Sequence, residues 1–134
     1  MMPNMQTFDI RCVISGTETG GQVAVFEEEI PPGGGPPRHT HRDQVEVFHI
    51  LDGSLRFEVD GESFERAAGA TAVVPAGAVH AFQNIGEAPA KIRFELLPAG
   101  QSEEFFETLC SGEVEDFGAL FDRYGLDLAG PPLG

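Results

Sequence analysis

The stretch 52–61, "DGSLRFEVDG", leaves little freedom in what this chain folds into. Leu55, Phe57 and Val59 alternate with Arg56 and Glu58, so one face is apolar and the other charged. That period of two belongs to a half-buried strand, because successive strand side chains point to opposite faces. An Asp-Gly pair stands at each end, and Asp-Gly tolerates the positive φ that tight hairpin turns demand. The pattern recurs in "TFDIRCVI", which sets Phe8, Ile10, Cys12 and Ile14 on one face. "QVAVFEEEI" groups Ala24, Phe26 and Ile30, and "AKIRFELL" groups Ile92, Phe94 and Leu96. "ATAVVPAGAVHAFQN" reads as strand, Pro/Gly turn, strand. Short strands joined by tight turns predict an all-β sandwich or small barrel. At 134 residues the chain is expected to form one domain.

After Pro98 the period changes. "SEEFFETLC" predicts a helix capped by Ser102 with acids in its first turn. "EVEDFGALFDRYG" places Val114, Phe117, Phe121 and Tyr124 at helical spacing, and Gly125 stops it. Residues 1–98 are therefore read as the β-barrel, and 99–134 as an amphipathic helical tail lying on the barrel or on a partner subunit.

The formal net charge is −14, and Lys91 is the only lysine. Such a field repels nucleic acid and anionic membranes. No apolar run is long enough for a transmembrane helix. The N-terminus lacks the basic-then-apolar layout of a signal peptide, so a cytoplasmic protein is expected. Cys12 and Cys110 are then expected to be reduced, mostly buried thiols.

The chemistry concentrates in "GGGPPRHTHRDQVEVFHILDG" (33–53). His39 and His41 are two apart and share a strand face. Glu46 is five beyond His41 and would face the other way on one straight strand. The polar "RDQ" (42–44) suits a turn that brings the next arm back alongside and points Glu46 inward, across the ladder from the histidines. On that arm Glu46, Phe48 and Ile50 share a face, while Val45, Val47, His49 and Leu51 share the other. His49 is therefore expected to bind no metal. Both faces being apolar, the outer one is expected to be covered, by the tail or by a second subunit in a homodimer. His80 follows the Pro75–Gly77 turn and shares a face with Phe82 and Asn84. Each of these features alone has a bland reading, as surface histidines, a solvated acid or a core imidazole. Joint agreement at fixed offsets favours one ion-binding cluster.

Gly33, His39-x-His41, Glu46 and Gly53 resemble the first cupin motif, and Gly69, Pro75-x-Gly77, His80 and Asn84 resemble the second. The resemblance spans about residues 23–97, with its motif core at 33–84. It implies a cupin-type double-stranded β-helix, a jelly-roll barrel. His39, His41, Glu46 and His80 match that family's metal ligands. One divalent ion is implied, of iron, manganese, nickel, cobalt, copper or zinc. The ending is similar to that of small quercetin-dioxygenase-like cupins. Many relatives carry Tyr where His49 stands. The inward set contains Phe26, Phe48, Ile50, Leu55, Phe57, Phe82, Ile92 and Phe94. It suits a small apolar or aromatic ligand with one oxygen on the ion, and Phe48, Phe57, Phe82 and Phe94 are the candidate pocket. A metal-dependent dioxygenase is favoured. The alternatives are a metal-assisted isomerase, lyase or decarboxylase, for which Glu28 is the one candidate acid, and a non-enzymatic sensor.

Overall fold

The computed structural model describes residues 8–134. The strands follow in the order β1 (Asp9–Ile14), β2 (Ala24–Ile30), β3 (Pro37–His41), β4 (Val45–Asp52), β5 (Ser54–Val59), β6 (Glu62–Ala67), β7 (Thr71–Val74), β8 (His80–Asn84) and β9 (Ala90–Leu97). Then come α1 (Ser102–Leu109), α2 (Phe117–Arg123) and β10 (Leu126–Pro132). They build two five-stranded antiparallel sheets, β1-β2-β9-β4-β7 and β10-β3-β8-β5-β6, which face each other. This is the all-β double-stranded β-helix that the alternation and the motifs predict.

The alternation works as expected where both neighbours are strands. Across the first sheet, inward residues stand in rows: Ala24–Leu96–Glu46, Phe26–Phe94–Phe48 and Glu28–Ile92–Ile50. In the second sheet Phe57 pairs with Phe64 on one side and Phe82 on the other. Phe26, Phe48, Leu55, Phe57 and Ile92 are almost wholly buried, each contributing roughly 1.5–3 kcal/mol by leaving water. Asp60 and Gly61 both adopt positive φ (49° and 82°), the hairpin turn that their pairing implies.

Three expectations need correcting. β1 is a sheet edge, and only Phe8 and Ile10 of its expected apolar face turn toward the core; Ile14 is 38% exposed. Cys12 is also exposed, and Cys110 is half-buried; both are free thiols. Ser102 does not cap α1. It is the first helical residue, and its hydroxyl donates to the Ala99 carbonyl instead (2.7 Å). The cap expected there is found at α2, where Asp116 accepts from the Ala119 amide (2.9 Å).

The C-terminal segment does more than lie on the barrel. α1 and α2 close one end of it: Phe106 packs on Phe26 and Phe94, and Phe121 meets His39 edge-on. β10 then pairs with β3, setting Leu126 opposite His41 and Leu128 opposite His39. Arg42 ties the arrangement down by pairing with Asp122 and Asp127 (2.5 and 2.6 Å). The outer face of β4 stays open within one chain. Val45, Leu51, Val73 and Leu97 remain 36–58% exposed there, because the tail covers the barrel end rather than this side.

One glycine has no substitute. A Cβ on Gly35 would sit 1.8 Å from the Phe82 carbonyl oxygen, where the 33–35 loop presses on β8. The flanking bonds Gly33 N–H to Asn84 O and Asn84 N–H to Gly34 O, both 2.9 Å, hold it there. Gly35→Ala is expected to cost about 3 kcal/mol of overpacking, read as a lower urea midpoint with an unchanged slope.

Candidate metal centre

β3 presents His39 and His41 to the interior, and the two rings are 8% and 4% exposed. β8 starts with His80, which pairs directly opposite His39. Glu46 comes from β4, in the other sheet. The 42–44 turn therefore does not fold β4 back beside β3, as the sequence reading had it. It carries the chain from one sheet to the other, and Glu46 faces the histidines across the barrel interior. The four side chains are buried, and their candidate ligand atoms all lie within 4.8 Å of one another.

Which nitrogen each ring offers is decided behind it. His39 Nδ1 lies 2.7 Å from the Pro37 carbonyl, and His80 Nδ1 lies 3.0 Å from that of Ala78. A carbonyl only accepts, so both Nδ1 atoms carry hydrogen. His41 Nδ1 lies 3.4 Å from Gln44 Oε1. The amide end of Gln44 is committed elsewhere, donating to Pro98 O (2.9 Å), Ala99 O (3.1 Å) and Ser102 Oγ (2.8 Å). Its oxygen is thus left to accept from His41. All three rings therefore turn Nε2 inward, the supporting arrangement usual for metal-binding imidazoles. His49 sits on the outer face and pairs with Glu95 at 2.7 Å.

Electrostatics favours a cation here. Burial pushes His39 well below its ordinary value, and the neighbouring His80 and His41 push it further, so it stays neutral. Burial also opposes charge on His80, but the hydrogen bond and charge of Glu46 win and raise it. Its Nε2 lies 3.1 Å from Glu46 Oε1, and His41 Nε2 lies 3.3 Å from the same oxygen. For Glu46, burial alone would raise the carboxyl; the two histidines overcome that and hold it far below the usual range. The cluster thus gathers a carboxylate and a proton at the place a divalent ion would take.

The donor set fits such an ion. Nitrogen and carboxylate donors bind first-row divalent metals at about 2.0–2.2 Å. Two donors on one ion are at most about 4.4 Å apart at that bond length, so the cluster needs to contract only slightly. Four protein ligands leave coordination positions open to a guest.

His39, His41 and Glu46 line a cavity of about 40 Å³. Phe48, Phe82 and Phe94 line it, as expected. Phe57 does not: it stands behind them, stacked on Phe64 with centroids 5.5 Å apart. Much of the remaining wall was not foreseen, because it comes from the tail, with Phe105, Phe106, Leu109, Phe121 and Leu126; Phe8 and Ile10 at the start of β1 and Pro36 and Pro37 at β3 supply the rest. Their helical spacing marked a buried face but not what it would cover. Glu28 also lines the cavity, and the same alternation that grouped Ala24, Phe26 and Ile30 places it there. Outside, a second cavity of about 170 Å³ shares His41, Phe105, Phe106 and Leu126 with the first.

The family model described as "Cupin domain" matches residues 26–97, more than half of the chain, and the chain belongs to that family. An uncharacterized protein of Methanocaldococcus jannaschii is 33% identical over 73 residues, covering 54% of this chain and 58% of the relative. A protein of Streptomyces cyaneus named polyketide synthase CurC is 31% identical over 91 residues, covering 67% of this chain and 59% of the relative. The chain thus spans less than two thirds of either curated relative. Among solved structures, the cupin domain of Schizosaccharomyces pombe Cnp3 superposes with a TM-score of 0.64 at 18% identity, covering 84% of this chain and 75% of that one.

Three outcomes are expected. His41→Ala loses most bound metal while His49→Ala keeps it, as measured by elemental analysis after dialysis. Gln44→Ala, which leaves His41 free to turn, lowers metal affinity about 10–100-fold in a chelator competition. Because His80 holds its proton more tightly than a free histidine does, metal uptake near pH 6.5 releases a proton and weakens as pH falls. Calorimetry in buffers of different ionisation enthalpy reads that proton directly.

Proposed function

We propose that this cupin holds one divalent ion on His39, His41, Glu46 and His80 and binds a small, largely apolar or aromatic molecule by one oxygen at that ion. On this reading the protein acts on the molecule as a dioxygenase-like oxidoreductase. The observation that carries it is the meeting of the four-residue cluster with aromatic walls: His39, His41 and Glu46 line a cavity together with seven phenylalanines, Phe8, Phe48, Phe82, Phe94, Phe105, Phe106 and Phe121. A redox-active ion would supply the electron exchange that oxygen chemistry requires.

The polar inventory supports the same ligand class. No Lys or Arg lines the inner cavity. Arg38, Arg42, Arg56 and Arg93 pair with surface acids instead. A phosphate or a polycarboxylate would find no cation there apart from the ion. The relative named a polyketide synthase supports an oxygen-bearing carbon skeleton as the guest.

A second reading has its own observation. Glu28 places an acid on the same cavity, which favours metal-assisted proton transfer, as in an isomerase, lyase or decarboxylase. A sensor role would use the same binding and no turnover. We also infer a homodimer through the exposed row Val45, Leu51, Val73 and Leu97, an apolar strip on an otherwise strongly acidic chain.

Purification from the native host followed by elemental analysis is expected to find about one redox-active ion per chain. Oxygen uptake with flavonols and diketones is expected from the wild type and not from His41→Ala. Zinc in the site with no uptake would move the assignment to proton transfer or to sensing. Sedimentation is expected to give a dimer that Val73→Asp converts to monomer; a monomeric wild type would remove the dimer.

A further inference from the structure

Among the described residues, Glu28 is the one buried acid that the metal centre leaves unused. It is 6% exposed. Among the described residues no hydrogen bond or ion pair involves its carboxyl, and none of their polar side-chain atoms is fully shut in without a partner, so the carboxyl oxygens still reach open space. Burial pushes the carboxyl up to about 8, and the charges of Glu46 and Asp9 add to the rise. It is therefore held uncharged at neutral pH and carries an O–H donor. An acid in an apolar wall gives up hydration that a leucine in its place would not need. Features that break a folding rule without local compensation concentrate at functional sites.

Register says where the carboxyl stands. Glu28 shares a row with Ile92 and Ile50, and Glu46 shares one with Leu96 and Ala24. The row Phe26–Phe94–Phe48 lies between them. The four-residue offset along the strands is about 13 Å of backbone. The cavity nevertheless touches both ends, Glu28 on one side and His39, His41 and Glu46 on the other. It is a slot with donor atoms at one end, aromatic rings in the middle and a neutral acid at the other. At about 40 Å³ it takes roughly three waters as it stands. A ring-sized guest would have to displace Phe105 and Phe106, which line the cavity from α1, a helix without a side-chain N-cap.

We propose that Glu28 is a second polar subsite of this cavity, taking a hydroxyl or carbonyl oxygen at the far end of the molecule whose first oxygen faces the histidine–glutamate cluster. The ligand class narrows to aromatic or conjugated molecules with oxygen at both ends. This rests on the reading of the cavity as a site for an aromatic, oxygen-bearing molecule.

Two probes of nearly equal shape and acidity test it on the zinc-loaded protein: 4-(hydroxymethyl)phenol and 4-ethylphenol, which differ by a far hydroxyl against a methyl. Binding is followed by calorimetry. The wild type is expected to prefer the alcohol about fivefold to tenfold. Glu28→Leu is expected to bind zinc normally, lose that preference and melt at a higher temperature. Glu28→Gln is expected to retain part of the preference, since its amide still hydrogen-bonds. If Glu28→Leu does not fold, Glu28→Met, of similar length, takes its place. Equal preference in the wild type and the apolar variant, with both probes bound, overturns the subsite and leaves the aromatic reading standing. A melting temperature that drops in both apolar variants, with the preference intact, assigns Glu28 a structural role and likewise overturns the subsite. Failure of both probes to bind the zinc-loaded wild type overturns the aromatic reading and the subsite with it.

Discussion

Three imidazole N–H groups, each held by an oxygen behind it, decide what the interior of this barrel can do. Two of those oxygens are backbone carbonyls, Pro37 and Ala78, set by the strands themselves. The third belongs to Gln44, whose amide end is fastened to the segment leading into α1. Fixing Nδ1 fixes Nε2, so the donor atoms are arranged before any cation arrives. That preparation lowers the ordering cost of binding and settles which atom of each ring is used.

Gln44 also joins two parts of the molecule that are distant in sequence. One end of its side chain orients His41, and the other donates to Pro98 O, Ala99 O and Ser102 Oγ in the turn before α1. α1 rises from that turn and carries Phe105 and Phe106 into the cavity wall. The ligand cluster and its aromatic cover therefore share a support. A shift in either is felt at the other through one amide group.

The fold and the grouping of the four buried side chains were legible in the sequence for a physical reason. Strand alternation and Asp-Gly turns are local, and a short motif with fixed offsets encodes its own geometry, so His39, His41, Glu46 and His80 could be named directly. Sheet membership was not legible. The turn at 42–44 is compatible with a hairpin or with a crossing between sheets, and only long-range pairing with β9 and β7 chooses the crossing. Edge position hid the fate of Cys12 and Ile14, because alternation describes a face and says nothing about whether a neighbour covers it. The aromatic cover was hidden similarly: Phe105, Phe106 and Phe121 announce a buried stripe without naming its partner. Glu28 was legible as an inward acid on the strand with Phe26, while the residues it would share a cavity with were not.

β10 carries a further implication. Its Leu126 and Leu128 are ladder partners of His41 and His39, and Arg42 clamps it through Asp122 and Asp127. Shortening the chain before residue 126 would thus strip a neighbour from the very strand that holds two of the four donors. For anyone engineering this protein, an affinity handle or reporter domain belongs at the opposite terminus, and variants trimmed to the family-matched region alone would be a poor proxy for the intact chain.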